Sequence, residues 1–489
     1  MTRPTAEQFQ ALFDPRGVVV AGASSHPGKF GFVSLHNVLA GGYEGRVFAT
    51  NRDGGSILGI PTIPTLAELP DGAADLCMVC TPKGAAADVL RDGASRGVKA
   101  FFFTTAGYGE SGPEGRRDEE DLVALARELG VLVAGPNGQG LVSTPARLCA
   151  QIVGPNPVRG RIGAASQSGN LVSSFMNLAS SSGVGISRGI SAGNAAMASV
   201  VDYVDWFSND PETSVGLAYL EGVGEDGRGW FERMRSITTR MPVVVYKGGA
   251  TAGGARAAAS HTGSLASDDR VFDGACRQAG VTRAATVEEA FDTAASFATQ
   301  PLPKGPRVVV VTTAGGWGVV TADAIAGSDL ELVALPDDLR RSIDAKLPPR
   351  WSRSNPVDLA GAETRDTIPE VLELVAAHPD VDAVILLGVG IQSNQAKINK
   401  TGRFYPDHGL ERIVDFHERQ DARYARTAAD VSVSTGKPVL VASELAVADP
   451  TNPGPATVRE TGRYCYPTPQ RAVRAMHHMW RHARRLERG

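Results

Sequence analysis

Short β-branched runs alternate with segments of helical periodicity along almost the whole chain, the pattern of parallel α/β domains. The first series opens with "GVVVAG" (17–22), a polar turn and a helix beginning near Phe30. Strands are expected at Val47–Ala49, "DLCMVC" (75–80), "VKAFFFTT" (98–105) and "VLVAG" (131–135). After "GPNGQG" (135–140) and the proline-rich "VGPNPVRG" (153–160), a second series begins with "RIGAAS" (161–166). It continues through "VGLAYLE" (215–221) and "PVVVYKGG" (242–249) to a small-residue loop and two helices. "QPLPKGP" (300–306) reads as a linker. A third series starts at "RVVVVTT" (307–313), with strands near 382–388 and 438–442 and a C-terminal helix from about Pro469. Residues 390–435 are polar, charged, mostly helical and longer than an ordinary connection. Three domains follow, at 1–150, 151–300 and 301–489, the last with the 390–435 segment as an insertion.

One internal echo sharpens this picture. "RIGAASQSGNLVSSF" (161–175) and "RVVVVTTAGGWGVVTA" (307–322) align when Arg161 is laid on Arg307. Each reads as a strand, a turn of small residues and a helix starting at Ser168–Gly169 or Ala314–Gly315. Helix N-termini present unpaired N–H groups to anions, and glycine lets a phosphate approach the backbone. One such turn is common; two in register, on either side of a histidine in a run of small residues, form a constellation.

That histidine is His261, in "RAAASHTGSLAS" (256–267). Small residues suit a loop whose imidazole meets more than one surface; the plainer alternative is an inert surface histidine. "YLEGVGE" (219–225) ends a strand with Glu221, at the edge where α/β sheets carry their sites. A carboxylate there can hold one ring nitrogen of His261, leave the other free to attack and stabilise a phosphorylated ring. The alternative is an ordinary strand-end glutamate.

Other motifs carry less. "GASSHPGKFG" (22–31) lies between a strand and a helix, where a nucleotide-like ligand can meet Ser24, Ser25 and backbone N–H groups. It is neither G-x-G-x-x-G nor a Walker A loop, since five residues separate Gly22 from Gly28 and Phe30 follows Lys29. "CMVC" (77–80) lies in a strand, where positions i and i+3 face opposite sides, so it reads as core. "MHHMWRH" (476–482) reads as a solvated helix face, with no carboxylate or cysteine cluster to make it a metal site. "GISAG" (189–193) matches the nucleophile elbow of serine hydrolases around Ser191, but the strand before it is weak.

Composition narrows the class further. At 489 residues, 42% hydrophobic and 21% charged, the chain is globular rather than disordered. A formal charge of −4 gives no general attraction to nucleic acid or anionic membrane. Its apolar runs fall short of the roughly 20 residues that cross a bilayer, and "MTRPTAEQFQALFDP" has no apolar signal region. Five scattered cysteines suit a reducing compartment, so a cytoplasmic protein is expected.

Taken in order, "GPNGQGLV", "SQSGNL", "YLEGV", "GGARAAASHTGSLAS" with "VFDGACRQAGV" (271–281), "TTAGGWGVVTADA" and "NPVDLAG" (355–361) resemble the NDP-forming acyl-CoA synthetases, relatives of succinyl-CoA synthetase. The likeness runs from about residue 10 to 480. It implies a CoA-binding Rossmann-like domain followed by two flavodoxin-like ligase domains. It also implies the reaction acid + CoA + NTP ⇌ acyl-CoA + NDP + phosphate, through an acyl phosphate and a phosphohistidine. On that resemblance His261 is the phosphorylated nucleophile and Glu221 its supporting carboxylate. Ser168, Gly169, Gly315 and Gly316 open the two phosphate cradles. Gly22, Ala23, Ser24, Ser25, Thr104, Thr105 and Ala106 lie along CoA, and Asn137 and Gly138 near the thioester.

The sequence also departs from the family. Gly138 stands where cysteine is common, "ATNRDG" (49–54) replaces an Asn-Pro-Lys-like stretch, and "GNAAMASV" (193–200) lacks an acidic residue after Gly-Asn. Ser173 stands where succinate-specific relatives commonly carry an aromatic residue, which points to a different acid. Fused members carry an ATP-grasp region of roughly 200 residues, for which the three domains leave no room. The expectation is therefore an α subunit that binds CoA and a carboxylic acid and binds no metal itself. ATP, ADP and magnesium would be held by an ATP-grasp β subunit in an α2β2-type hetero-oligomer. A CoA- or acyl-CoA-binding regulator without turnover is the alternative, and a hydrolase built on Ser191 a third reading.

Overall fold

The structure is a computed structural model that describes residues 3–224, 226–262, 268–359 and 366–488, with the backbone alone for 258–262. It divides into two compact units, Met1–Ser181 with Gly185–Ala290 and Ser182–Val184 with Phe291–Gly489.

The first unit holds two sheets. One contains β1 (Gly17–Ala21), β2 (Arg46–Thr50), β3 (Ser56–Ile57), β4 (Ile60–Ile63), β5 (Leu76–Val79), β6 (Ala100–Phe103) and β7 (Leu132–Ala134), in the order β3-β4-β2-β1-β5-β6-β7. The run β2-β1-β5-β6-β7 is parallel. Helices cover both faces, so β1 and β6 are continuously buried and read as unbroken apolar runs. Alternation still sorts their side chains: Phe101 and Phe103 join one cluster with Cys77 and Val79, while Phe102 joins the other with Met78 and Val20. Cys77 and Cys80 likewise pack on opposite faces. The chain leaves β1 for β2 on one side and returns to β5 on the other. The crevice beyond the ends of β1 and β5 is therefore the topological switch point, where open α/β sheets bind ligands.

The second sheet contains β8 (Gly140–Ser143), β9 (Leu148–Gln151), β10 (Arg159–Ser166), β11 (Ile186–Ser191), β12 (Val215–Leu220), β13 (Val243–Lys247) and β14 (Thr282–Ala284). Its order is β14-β13-β12-β10-β11-β8-β9, with the β8–β9 hairpin antiparallel to β11. That hairpin begins before residue 150 yet belongs to this sheet, because β8 hydrogen-bonds to β11 rather than to β7 and β9 pairs with β8. The switch point here falls between β10 and β12.

The second unit is built on β15 (Arg307–Thr312), β16 (Glu331–Leu332), β17 (Val357–Asp358), β18 (Ala383–Leu387), β19 (Val439–Ala442) and β20 (Cys465–Tyr466). The order is β16-β15-β18-β19-β20, with β17 paired to β15, so β15 and β18 flank the switch point. The 390–435 segment forms two helices, Ile391–Thr401 and Leu410–Thr435.

Two expectations are corrected. The "MHHMWRH" face is not solvated throughout: His482 is 6% exposed and packs edge-on to Phe297 at 5.2 Å. The apolar face of the Pro469–Glu487 helix is broad enough to take the histidine into the core. The small-residue segment before His261 is not a loop either, because Ala252–Thr262 is helical. Five of its first eight residues are alanine, the strongest helix former. Residues 263–267 of the expected loop lie outside the described residues.

Candidate functional site

At the first switch point, Gly22 takes a left-handed φ of +81° and turns the chain off β1. A Cβ on Gly31, in the helix Phe30–Ala40, would collide with the Gly22 carbonyl, so the helix can seat on this turn only with glycine there. Ala23 N donates to the Thr50 carbonyl at 2.9 Å, and Ser24 Oγ accepts from His26 N at 3.1 Å. Asn51, in the departing "ATNRDG" stretch, donates Nδ2 to the Ala23 carbonyl at 2.9 Å and so braces the same turn. Ser25 is exposed beside it. Across the crevice, Thr104 Oγ1 donates to the Val79 carbonyl at 3.0 Å and Thr105 Oγ1 to the Thr81 carbonyl at 2.7 Å, with Ala106 exposed after them. The residues assigned to CoA thus share one crevice.

Asn137 follows at the end of β7, exposed, with φ +58°. Gly138 is explained by its neighbours: a Cβ there would lie 2.5 Å from Phe102 Cζ and 2.8 Å from the Ser191 carbonyl oxygen. The Phe102 ring fills the room a cysteine would take. Gln139 N donates to Ser191 Oγ at 3.1 Å, so the "GISAG" serine, 1% exposed, is a buried acceptor rather than a presented nucleophile. The Gln139 side chain lies where a Cβ on Gly169 would stand, and its Nε2 donates to Asn170 Oδ1 at 3.4 Å. Gly138 is thereby one residue, and Asn137 two, from the contact Gln139 makes with the N-terminus of the Gly169–Ser182 helix.

That helix begins at the second switch point. Ser166, the last residue of β10, donates Oγ to the Ser168 carbonyl at 2.6 Å and accepts from Ser168 N at 3.1 Å, clasping the turn. Gln167, unremarked in the sequence, joins the two sides of the crevice. Its Oε1 accepts from Glu221 N at 2.6 Å and from Gly222 N at 3.3 Å. Glu221 is 7% exposed and its Oε1 accepts from the Tyr219 hydroxyl at 3.4 Å. Burial, then the Glu221 charge, push the Tyr219 phenol up and keep it a donor. Beside it, burial lowers the Lys247 ammonium, whose Nζ donates to the Gly248 carbonyl at 3.0 Å. Structure thus brings Ser168, Gly169 and Glu221 to one crevice. The backbone of His261 lies near the end of the Ala252–Thr262 helix in the same unit, and its side chain lies outside the described residues.

The second turn repeats the first. Thr312, the last residue of β15, donates Oγ1 to the Ala314 carbonyl at 2.9 Å and accepts from Ala314 N at 2.9 Å. The Gly315–Ala326 helix starts there, with Gly316 open to its surroundings and a Cβ on Gly315 placed 2.6 Å from Asp358 Oδ2. Ser166 and Thr312 hold the same place in the internal echo, a signal present in the sequence and passed over. No helix among the described residues is long and apolar enough to cross a membrane.

A switch-point crevice on a Rossmann-like sheet, followed by two clasped turns on flavodoxin-like sheets, defines the architecture of a CoA ligase. Family models agree: a CoA binding domain matches residues 16–143, a succinyl-CoA ligase like flavodoxin domain matches 159–297, and a ligase-CoA domain matches 308–391. The chain is 36% identical over 383 residues to acetate–CoA ligase [ADP-forming] I subunit alpha of Pyrococcus furiosus, covering 78% of this chain and 82% of that one. It is 34% identical to acetate–CoA ligase [ADP-forming] I of Archaeoglobus fulgidus, covering 78% of this chain and 54% of that longer one. Among solved structures, the dinucleotide forming acetyl-coenzyme A synthetase 1 of Ca. Korarchaeum cryptofilum, in complex with phosphate and ADP, superposes with a TM-score of 0.84 at 32% identity. That match covers 98% of this chain and 97% of that one. The chain belongs to the ADP-forming acyl-CoA synthetase family, with its α subunits.

Proposed function

We propose that this chain, with a separate ATP-grasp subunit, converts acid + CoA + ATP to acyl-CoA + ADP + phosphate. ATP held on the partner with magnesium phosphorylates an imidazole nitrogen of His261 and leaves as ADP. The carboxylate of the acid then takes the phosphoryl group, which frees the imidazole and gives an acyl phosphate. Last, the CoA thiol attacks the acyl carbon, the C–O bond to phosphate breaks, and the thiol proton leaves with phosphate or solvent. Ser168–Gly169 and Gly315–Gly316 hold the dianion with backbone N–H groups and helix dipoles, which stabilise it without a covalent or ionic tether. Glu221 orients His261 and supports its cationic form. Gly22–Ser25 and Thr104–Ala106 hold CoA, and Asn137–Gly138 border the thioester. The domain division near 150 and 300, an α2β2-type assembly and a cytoplasmic site of action complete the reading.

The observation that carries it is the register-matched pair of clasped turns, Ser166–Gly169 and Thr312–Gly315, the first beside buried Glu221. Reconstitution tests it. The purified chain alone should bind CoA yet form no acyl-CoA from ATP, and its ATP-grasp partner, recovered by pull-down, should restore hydroxamate-trappable acyl formation. ATP turnover by the isolated chain would contradict the division of labour.

A further inference from the structure

Where the first two sheets meet, one side chain joins three segments. Asn194 lies in the turn after β11, directly on the turn after β7: its N donates to the Pro136 carbonyl at 2.9 Å, and a Cβ on Gly193 would collide with the same carbonyl. Asn194 Oδ1 accepts from Asn137 Nδ2 at 3.3 Å. Its Nδ2 donates to Glu110 Oε2 at 2.5 Å and Glu119 Oε2 at 2.7 Å, using both amide hydrogens. The two carboxylates also shape the segment that continues from Ala106. Glu110 Oε1 accepts from Gly107 N at 2.5 Å and Tyr108 N at 3.3 Å, and Glu119 Oε2 accepts from Gly109 N at 3.2 Å. Burial works against the Glu110 charge, but Asn194 and then the backbone donors hold its carboxyl below the usual range.

We propose that Asn194 is a positioning residue that fixes Asn137 and the Thr104–Glu110 segment against the second sheet, so that the CoA thiol arrives at the acyl phosphate. This rests on the CoA and phosphate assignments made above. The geometry is that of a brace. The carboxamide spans the end of β7, the segment after β6 and the turn after β11, next to the Gln139–Gly169 contact at the helix start. Its second task is electrostatic. Its amide donor stands between two half-buried carboxylates that share one nitrogen, and so offsets their mutual repulsion.

Both tasks are read by kinetics of the reconstituted enzyme. Asn194→Ala should raise the KM for CoA by about tenfold or more near pH 8, as expected when charge-assisted hydrogen bonds are lost. Phosphorylation of His261 by acetyl phosphate needs no CoA and should stay within about twofold of the wild-type rate, which separates this role from the phosphate chemistry. The double variant Asn194→Ala/Glu119→Gln, which removes the like-charge pair, should recover most of the CoA affinity. If Asn194→Ala proves poorly folded, Asn194→Gln, which keeps a carboxamide but displaces it from both carboxylates, carries the test through the same rise in the KM for CoA. An unchanged KM for CoA, an equal fall in His261 phosphorylation, or a double variant with no recovery of CoA affinity would overturn the proposal. Absence of any His261 phosphorylation in the wild type would instead count against the assignments on which it rests.

Discussion

In the first unit the strand-end position beside the clasped turn carries a carboxylate; in the second unit the equivalent position is apolar, and the carboxylate near the turn comes from another strand. Ser166 pairs with Tyr219 across the sheet and Thr312 pairs with Leu387, so the residue two positions further on is Glu221 in one and Val389 in the other. Glu221 is bonded to Tyr219 and its backbone is held by Gln167, whereas Val389 is 2% exposed and packs in the core. Both turns offer N–H groups to an anion. In the second, the carboxylate at hand is Asp358 on β17, paired with Thr312 and beside Gly315 rather than at the strand end. The duplicated scaffold thus repeats the turn while placing its carboxylates differently around the two copies.

Replacing Glu221 by glutamine removes that asymmetry and should have the largest effect. Phosphorylation of His261 by acetyl phosphate should slow by about 10²-fold or more, the scale of an orienting acid–base partner. Thermal unfolding should stay near wild type, since glutamine keeps the shape and the Tyr219 contact. Wild-type kinetics would reduce Glu221 to a strand-end residue. Ser166→Ala and Thr312→Val sharpen the comparison at smaller scale. Each loses a hydroxyl clasp of about 1 kcal/mol, or roughly five- to tenfold in the step its helix start serves. The serine change should fall on the acyl-phosphate half-reaction, and the threonine change on ATP–ADP exchange in the complex. Equal effects on both half-reactions would mean the turns do not divide the work.

A stability measurement separates the units by pH. Burial, then Arg485, push His482 down to about 4. Its folded pKa lies below the unfolded value, so its contribution is fully present above about pH 6.5 and is lost as pH falls toward 4. The loss should amount to about 1–3 kcal/mol for the second unit. His482→Phe, which keeps a ring against Phe297, should flatten the fall in melting temperature between pH 7.5 and 5 and leave His261 phosphorylation unchanged.

Much of the fold was legible because its strands are buried on both faces and so appear as apolar runs, as in "GVVVAG" and "RVVVVTT". The helix starts at Gly169 and Gly315 were legible because small residues mark them and the two copies check each other. The Ala252–Thr262 helix was misread because its residues lack an apolar stripe, and alanine propensity rather than periodicity decides it. The burial of His482 is hidden in the sequence because three histidines and five arginines mask the buried face of its helix. Gln167 and Asn194 left no pattern, since their value lies in contacts across the sheet ends, 54 residues away to Glu221 and 84 residues away to Glu110. Gly138 was seen as a departure, but its cause, the Phe102 ring, belongs to tertiary packing.

The central claim is that one phosphoryl group passes through His261. The direct measurement is to incubate the isolated chain with radiolabelled acetyl phosphate and no nucleotide, then map the label by peptide mass spectrometry. The account predicts an acid-labile, base-stable phosphate on His261, retained on addition of ADP alone and released as ATP only when the partner subunit is added. Label at another residue, or undiminished labelling of His261→Ala, would contradict it.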